Sequence, residues 1–126
     1  MRNRCFIATV LLLSAIAGSA NAGEVIAEFS GSRNKTTVTF ETDGPWLLEW
    51  RINSDYVRQS SFELNLINAE TGLFDSRILQ TKRLGNGLKL FRQEGRWRFE
   101  VSANFIDWYL TVEQLTEAEA EQYTPR

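Results

Sequence analysis

The chain has 126 residues, with 14 basic and 16 acidic side chains, one cysteine and no histidine. Without histidine, and with the single Cys5 near the N-terminus, the sequence excludes Ser–His and Cys–His nucleophilic sites and histidine-based zinc sites. The net charge of −2 also argues against general nucleic-acid binding, which calls for a strongly basic domain.

Residues 1–22 have the pattern of a cleavable secretory signal peptide. Arg2 and Arg4 form a basic start, an apolar run extends from Cys5 to Gly18, and Ala20-Asn21-Ala22 places small residues where a signal peptidase reads. The apolar run is shorter than the roughly 20 residues that a membrane-spanning helix needs. We therefore predict cleavage after Ala22 and a mature chain in the bacterial periplasm or outside the cell.

Cleavage before Gly23 leaves 104 residues without cysteine, with 12 basic and 16 acidic side chains and a net charge of −4. A chain of this length forms one domain. In an oxidising compartment it has to be held together by core packing instead of disulfides. We predict a β-domain over residues 23–115 and an acidic segment over 116–126, where Thr116-Glu117-Ala118-Glu119 fits either a capped short helix or a loose tail.

Between residues 24 and 114, apolar and polar residues alternate with period two, and turn residues interrupt the alternation about every 8–12 positions. The apolar segments lie at residues 25–29, 38–40, 46–52, 62–66, 75–81, 88–90, 97–103 and 108–112. This pattern predicts about eight short antiparallel strands, each with one face in water. We predict an all-β antiparallel sandwich, either jelly-roll-like or immunoglobulin-like.

The segment from Arg77 to Arg98 has a net charge of +6. Gly85-Asn86-Gly87 within it fits a hairpin turn, because Asn-Gly supplies positive φ angles. If strands 88–90 and 97–103 pair through Glu94-Gly95, basic side chains gather on one surface that attracts an anionic glycan, a lipid headgroup or an acidic protein. The candidate ligand-binding residues of this surface are Arg77, Lys89, Arg92, Arg96 and Arg98. The alternative is a solvated sheet face whose charges protect an edge strand.

The aromatic residues form a second candidate ligand surface, since exposed tryptophan and tyrosine can stack against sugar rings. Trp46, Trp50, Trp97 and Trp108 all have the apolar parity of their strands, which favours the core. Trp46 lies beside a Gly-Pro turn and Trp108 beside an irregular step, so we expect partial exposure of these two. Tyr109 is out of phase with its apolar neighbours and should point outward. The candidate platforms are therefore Trp46, Trp108 and Tyr109.

The strands over residues 62–115 share a further pattern. It consists of Phe62-x-Leu-x-Leu, an acidic turn that ends at Gly72, then Gly95-Arg-Trp-Arg-Phe-Glu-Val and Trp108-Tyr-Leu-Thr-Val. The pattern resembles the closing half of bacterial pre-peptidase C-terminal domains, which are secreted β-sandwiches, although no peptidase domain precedes it here. The resemblance implies a β-sandwich with an accessory, non-catalytic role, and it identifies no binding residue.

These observations predict a small exported binding or interaction protein of the bacterial envelope or exterior. We expect it to be no enzyme, to need no cofactor or metal, to have no nucleic-acid partner and no membrane span, and to bind a protein or an envelope component. The first alternative is a domain like a carbohydrate-binding module. The second is a small hydrolase that uses two carboxylates, drawn from Glu49, Glu63, Glu100 and Asp107.

Overall fold

A computed structural model describes residues 23–123, so the predicted signal peptide lies outside the described residues. Over this part of the chain, nine strands form two sheets and one short helix follows them. The elements are β1 (Glu24–Gly31), β2 (Lys35–Thr36), β3 (Phe40–Thr42), β4 (Trp46–Asn53), β5 (Ser61–Asn68), β6 (Phe74–Thr81), β7 (Gly85–Phe91), β8 (Gly95–Asn104), β9 (Asp107–Gln114) and α1 (Glu117–Glu121). The prediction of an all-β sandwich is confirmed, and of the two alternatives for the acidic C-terminal segment the short helix is the one that forms.

The front sheet has the strand order β1-β9-β4-β7, and the back sheet has the order β2-β8-β5-β6, with β3 also paired to β8. All of these pairs are antiparallel. Because β2 and β3 occupy one edge position, each sheet has four positions. If β2 and β3 are counted as one strand, every connection crosses from one sheet to the other except β5–β6. This is the strand order of a jelly roll, which decides between the two predicted sandwiches.

The core between the sheets is rich in aromatic rings. Trp46 stacks on Phe91 with the ring centroids 4.2 Å apart and an interplanar angle of 10°. Phe40 meets Trp46 edge-on at 5.4 Å and lies 5.0 Å from Phe99. Rings of this size bury much apolar surface each. They therefore supply the packing that a domain without disulfides requires.

The edge position of the back sheet is interrupted between β2 and β3. Thr37 is buried there, and its hydroxyl accepts a hydrogen bond from the Phe99 backbone N–H at 2.9 Å. This side-chain bond takes the place of a ladder bond, and the next residue, Val38, is turned outward with 75% of its surface exposed. The prediction of one apolar strand over residues 38–40 was therefore wrong at Val38. A broken edge strand also offers little to an unwanted pairing partner.

The predicted hairpin through Glu94-Gly95 is wrong. β7 pairs with β4 in the front sheet, whereas β8 pairs with β5 in the back sheet. The connection crosses the end of the sandwich and is fixed by the Gln93 carbonyl, which accepts hydrogen bonds from Trp46 Nε1 at 3.1 Å and from the Thr42 hydroxyl at 3.3 Å. Because Trp46 and Thr42 are buried in the core, their hydrogen bonds hold the connection over the end of the core.

Gly85-Asn86-Gly87 was predicted to be a hairpin turn, and this prediction was also wrong. The three residues begin β7, where Gly87 lies directly opposite Trp50 of β4. A β-carbon at Gly87 would collide with the Trp50 ring. Glycine stands here because a large ring of the neighbouring strand covers the backbone, and not because the chain has to turn.

The C-terminal helix α1 packs against the front sheet at β4. The Thr116 hydroxyl accepts a hydrogen bond from the Glu119 N–H at 3.1 Å, and the Glu119 carboxylate accepts one from the Thr116 N–H at 2.8 Å, which forms a capping box. Leu115 and Ala120 pack with Leu47 of β4 in a second apolar cluster. Over residues 23–123, no helix has the length and apolar character that crossing a membrane would require.

Candidate functional site

Two of the predicted sugar-stacking platforms are buried. Trp46 and Trp108 are both 0% exposed, so the expectation that they are partly exposed was wrong. A loop carbonyl satisfies each indole N–H, namely that of Gln93 for Trp46 and that of Arg33 for Trp108, both at 3.1 Å. Because their polar atoms have partners, these rings can lie fully in the core, and neither can stack against a ligand.

Tyr109 is the predicted platform that does reach the surface. Its side chain is 50% exposed, which confirms the prediction that it points outward. It lies in the middle of the front sheet, directly opposite Ser30 of β1 on one side and Arg51 of β4 on the other. Alternation along the strands places all three side chains on the outer face of this sheet.

A concave surface surrounds Tyr109. In the next row of the sheet, Thr111 lies between Glu28 of β1 and Glu49 of β4. The resulting cavity has a volume of about 350 Å³ and is lined by residues 28–30, 49, 51 and 109–111, of which those with outward parity are Glu28, Ser30, Glu49, Arg51, Tyr109 and Thr111. We call this cavity the front groove. It combines one aromatic ring with two carboxylates and one guanidinium.

The front groove continues toward the edge strand β7. Glu49 also borders a neighbouring shallow depression, which is lined by Asn86 and Leu88. Leu88 is 54% exposed. Of the residues that surround Tyr109 in this groove, Glu49 was selected from the sequence as a candidate carboxylate, and the others were not selected. The alternation of polar residues in β1, β4 and β7 indicated that these side chains point outward. It did not indicate the strand order that brings them together.

The predicted basic surface does not form as one surface. Arg96 and Arg98 of β8 lie on the outer face of the back sheet with Arg77 of β6, whereas Lys89 belongs to the front sheet. The Lys89 ammonium lies 5.6 Å from the centre of the Phe91 ring at the sandwich edge. Arg92 lies in the connection after β7 and forms ion pairs of 3.7 Å with Glu117 and Glu121 of α1. The prediction failed because it rested on the β7–β8 hairpin.

The back-sheet arginines stand among acidic residues. Glu41 lies directly opposite Arg96, and Glu100 follows Arg98 on the same face of β8. The Arg77 guanidinium donates a hydrogen bond of 2.8 Å to the Gln80 side chain. Charges of both signs therefore alternate over this face, which weakens its attraction for an anionic ligand.

Two of the four candidate carboxylates are brought together on the back sheet. The Asn65 Nδ2 donates to Glu63 at 3.0 Å and to Glu100 at 3.5 Å, while its buried Oδ1 has no partner within the described residues. Glu63 borders a cavity of about 530 Å³, but Glu100 is absent from its lining. The two carboxylates are therefore engaged as acceptors for the amide NH2 group of a buried side chain, since Asn65 is 7% exposed. Glu49 and Asp107 lie in the other sheet.

Residues 23–123 contain no group of three or more acidic, cysteine or histidine side chains that could hold a metal ion. Among the surfaces that include a predicted site residue, the front groove is the one where an exposed aromatic ring meets hydrogen-bonding groups in a concavity. No protein-family model matches this chain, and comparison with curated proteins finds no relative.

Proposed function

We propose that this chain is a small exported binding protein of the bacterial envelope, without catalytic activity, and that its front groove binds a neutral oligosaccharide. The observation that carries the proposal is the position of Tyr109, half exposed in the middle of a concave sheet face. The envelope component predicted from the sequence is then a glycan. This makes the first alternative, a domain like a carbohydrate-binding module, the more specific form of the leading hypothesis.

The chemistry of the front groove suits a sugar. The face of an aromatic ring packs against the C–H groups of a pyranose ring, and the hydroxyl groups around that ring need both acceptors and donors. Glu28 and Glu49 supply acceptors and Arg51 supplies a donor. Because carboxylates outnumber cations in the groove, a neutral saccharide fits better than an anionic one.

Several features support binding without turnover. The chain has no histidine, and its single cysteine, Cys5, belongs to the predicted signal peptide. The resemblance of residues 62–115 to pre-peptidase C-terminal domains also implies an accessory role. A carboxylate-based hydrolase is less well supported. Of the four candidates from the sequence, the two that come together, Glu63 and Glu100, are engaged with the buried Asn65, and one of them lies outside the nearby cavity.

Calorimetric titration would test the front groove. The full chain is expressed, the exported product is purified, and it is titrated with oligosaccharides of glucose and of N-acetylglucosamine. We expect one of the two series to bind, and Tyr109→Ala to weaken its affinity about tenfold or more, which is the loss typical of an aromatic hot spot.

Tyr56→Ala is the matched control, because Tyr56 is 57% exposed but lies in a loop outside the groove. It should leave the affinity unchanged. If neither series binds, or if both alanine variants weaken binding equally, the assignment of the groove to a sugar is wrong. The intact mass of the purified product also tests the predicted cleavage after Ala22.

A further inference from the structure

Four connections meet at one end of the sandwich, which we call the basic loop end. They are residues 32–34, 54–60, 82–84 and 105–106. The register brings them together, since Gly31 and Asn53 lie opposite the first residues of β9, and Gly85 lies opposite Ile52. This end includes none of the residues that line the front groove.

Apolar side chains project from the basic loop end. Tyr56 is 57% exposed, Val57 60% and Phe105 56%, and the rings of Tyr56 and Phe105 lie 5.2 Å apart. Phe105 has a φ of +55°, the one positive φ of a non-glycine residue within residues 23–123. A left-handed conformation is costly for a bulky residue and is typical of functional positions. Here the strained residue holds an aromatic ring in solvent.

Basic side chains outnumber acidic ones in the loops of this end. The four loops carry Arg33, Arg58, Lys82 and Arg83, all exposed, against one acid, Asp55, with Asp107 at the beginning of β9 as a second. Within residues 23–123, none of the four basic side chains forms an ion pair. Their charges are therefore free to attract an anionic partner.

The opposite end of the sandwich has the reverse charge. Its connections and the helix carry Asp43, Glu70, Glu94, Glu117, Glu119 and Glu121, against Arg92. It also exposes Leu73 and Phe74, but these lie beside Glu70 and Asp75. An anionic surface would therefore attract one end of the molecule and repel the other, which fixes its orientation.

We propose that the basic loop end docks on an anionic phospholipid bilayer, with Tyr56, Val57 and Phe105 in the interface and the basic side chains on the headgroups. Aromatic residues favour the membrane–water interface, and neighbouring cations add electrostatic attraction. A soluble glycan would give Val57 and Phe105 no apolar surroundings. The front groove lies on a sheet face at the side of the sandwich, so docking leaves it open. The two proposals stand independently.

Vesicle co-sedimentation tests the proposal. The exported product of the full chain should bind phosphatidylcholine vesicles that contain phosphatidylglycerol, with an affinity that falls as salt increases, and should bind pure phosphatidylcholine vesicles weakly. The double variant Arg58→Gln, Arg83→Gln should weaken binding by about fivefold for each charge removed. Arg96→Gln with Arg98→Gln removes the same charge from the back sheet and should have little effect.

The apolar contact needs its own variants. Phe105→Asn should fold well, because asparagine tolerates the left-handed conformation, and should still lose binding to the anionic vesicles. When these vesicles are added, the tryptophan emission of Tyr56→Trp should shift to the blue relative to that of the parent chain, which has four tryptophans. Tyr109→Ala should bind vesicles normally, which separates this test from that of the front groove.

Three results would overturn the proposal. The first is no binding to the anionic vesicles. The second is an equal loss in the loop-end and back-sheet double variants. The third is vesicle binding that leaves the Tyr56→Trp emission unchanged and is abolished by competing heparin. That result would identify a surface for polyanions in general, with no insertion of the apolar side chains into the bilayer.

Discussion

Replacing Trp46 with alanine should lower the free energy of unfolding by about 3–5 kcal/mol. The indole is fully buried, it stacks on Phe91, and it packs against Phe40, Trp97 and Phe99. Its removal leaves a cavity that these rings cannot fill without losing their own contacts. It also removes the donor that holds the Gln93 carbonyl at 3.1 Å. Denaturant unfolding followed by fluorescence gives the measurement.

The same substitution at Tyr109 provides the contrast. Tyr109 is half exposed on the outer face of the front sheet, so Tyr109→Ala should change the unfolding free energy by no more than about 0.5 kcal/mol. Trp46→Phe retains a ring but loses the indole N–H. Its change in the free energy of unfolding should lie between those of Trp46→Ala and Tyr109→Ala. Equal effects of the two alanine variants would contradict the assignment of Trp46 to the core and Tyr109 to the groove.

The size of the Trp46 effect matters because the total stability of a small domain is low. A domain of this kind has a total stability of about 5–15 kcal/mol, and residues 23–126 contain no cysteine that could form a disulfide. Loss of a single core ring can therefore remove a large fraction of the stability. A chain that is partly unfolded is exposed to proteolysis. We expect low recovery of Trp46→Ala after expression, with recovery of Tyr109→Ala unchanged.

Local sequence was sufficient for most of the strand pattern and parity, but not at Val38 or at Gly85-Asn86-Gly87. The outward position of Tyr109 followed from its phase relative to Trp108 and Leu110, and the Thr116 and Glu119 capping pair indicated the helix α1 as one of two alternatives for the C-terminal segment. Both depend on residues close together in the chain. Short-range periodicity controls them because alternation in a strand and the cap of a helix are local geometric rules.

Strand partners were harder to predict. A β7–β8 hairpin and a β7–β8 crossing have the same local sequence, and hydrogen bonds from Trp46 and Thr42 to Gln93 decide between them across 47 and 51 residues of chain. The predicted basic surface failed for this reason. The partial exposure expected for Trp46 and Trp108 failed similarly, since the carbonyls that satisfy their indoles come from distant loops.

Gly31→Ala should lower the free energy of unfolding by about 1–3 kcal/mol, the usual effect of overpacking a core. Gly31 ends β1 directly opposite Trp108, and an added β-carbon would lie 2.7 Å from Cζ2 and 3.1 Å from Cε2 of that ring. The ring cannot move aside easily, because it is 0% exposed and its N–H is bonded to the Arg33 carbonyl. The substitution should also disturb the loop that carries Arg33.

Gly44→Ala is the matched control for Gly31→Ala. A β-carbon at Gly44 would meet one atom, the Gln114 Nε2 at 3.9 Å, so this variant should be neutral or slightly stabilising. A Trp108→Phe background should relieve the collision, because the smaller ring lacks the atoms that meet the new methyl group. Gly31→Ala should then cost less than in the parent chain, and the difference measures the coupling between the two residues. An undiminished cost in that background would mean that Gly31 is required for its backbone conformation and not for the approach of Trp108.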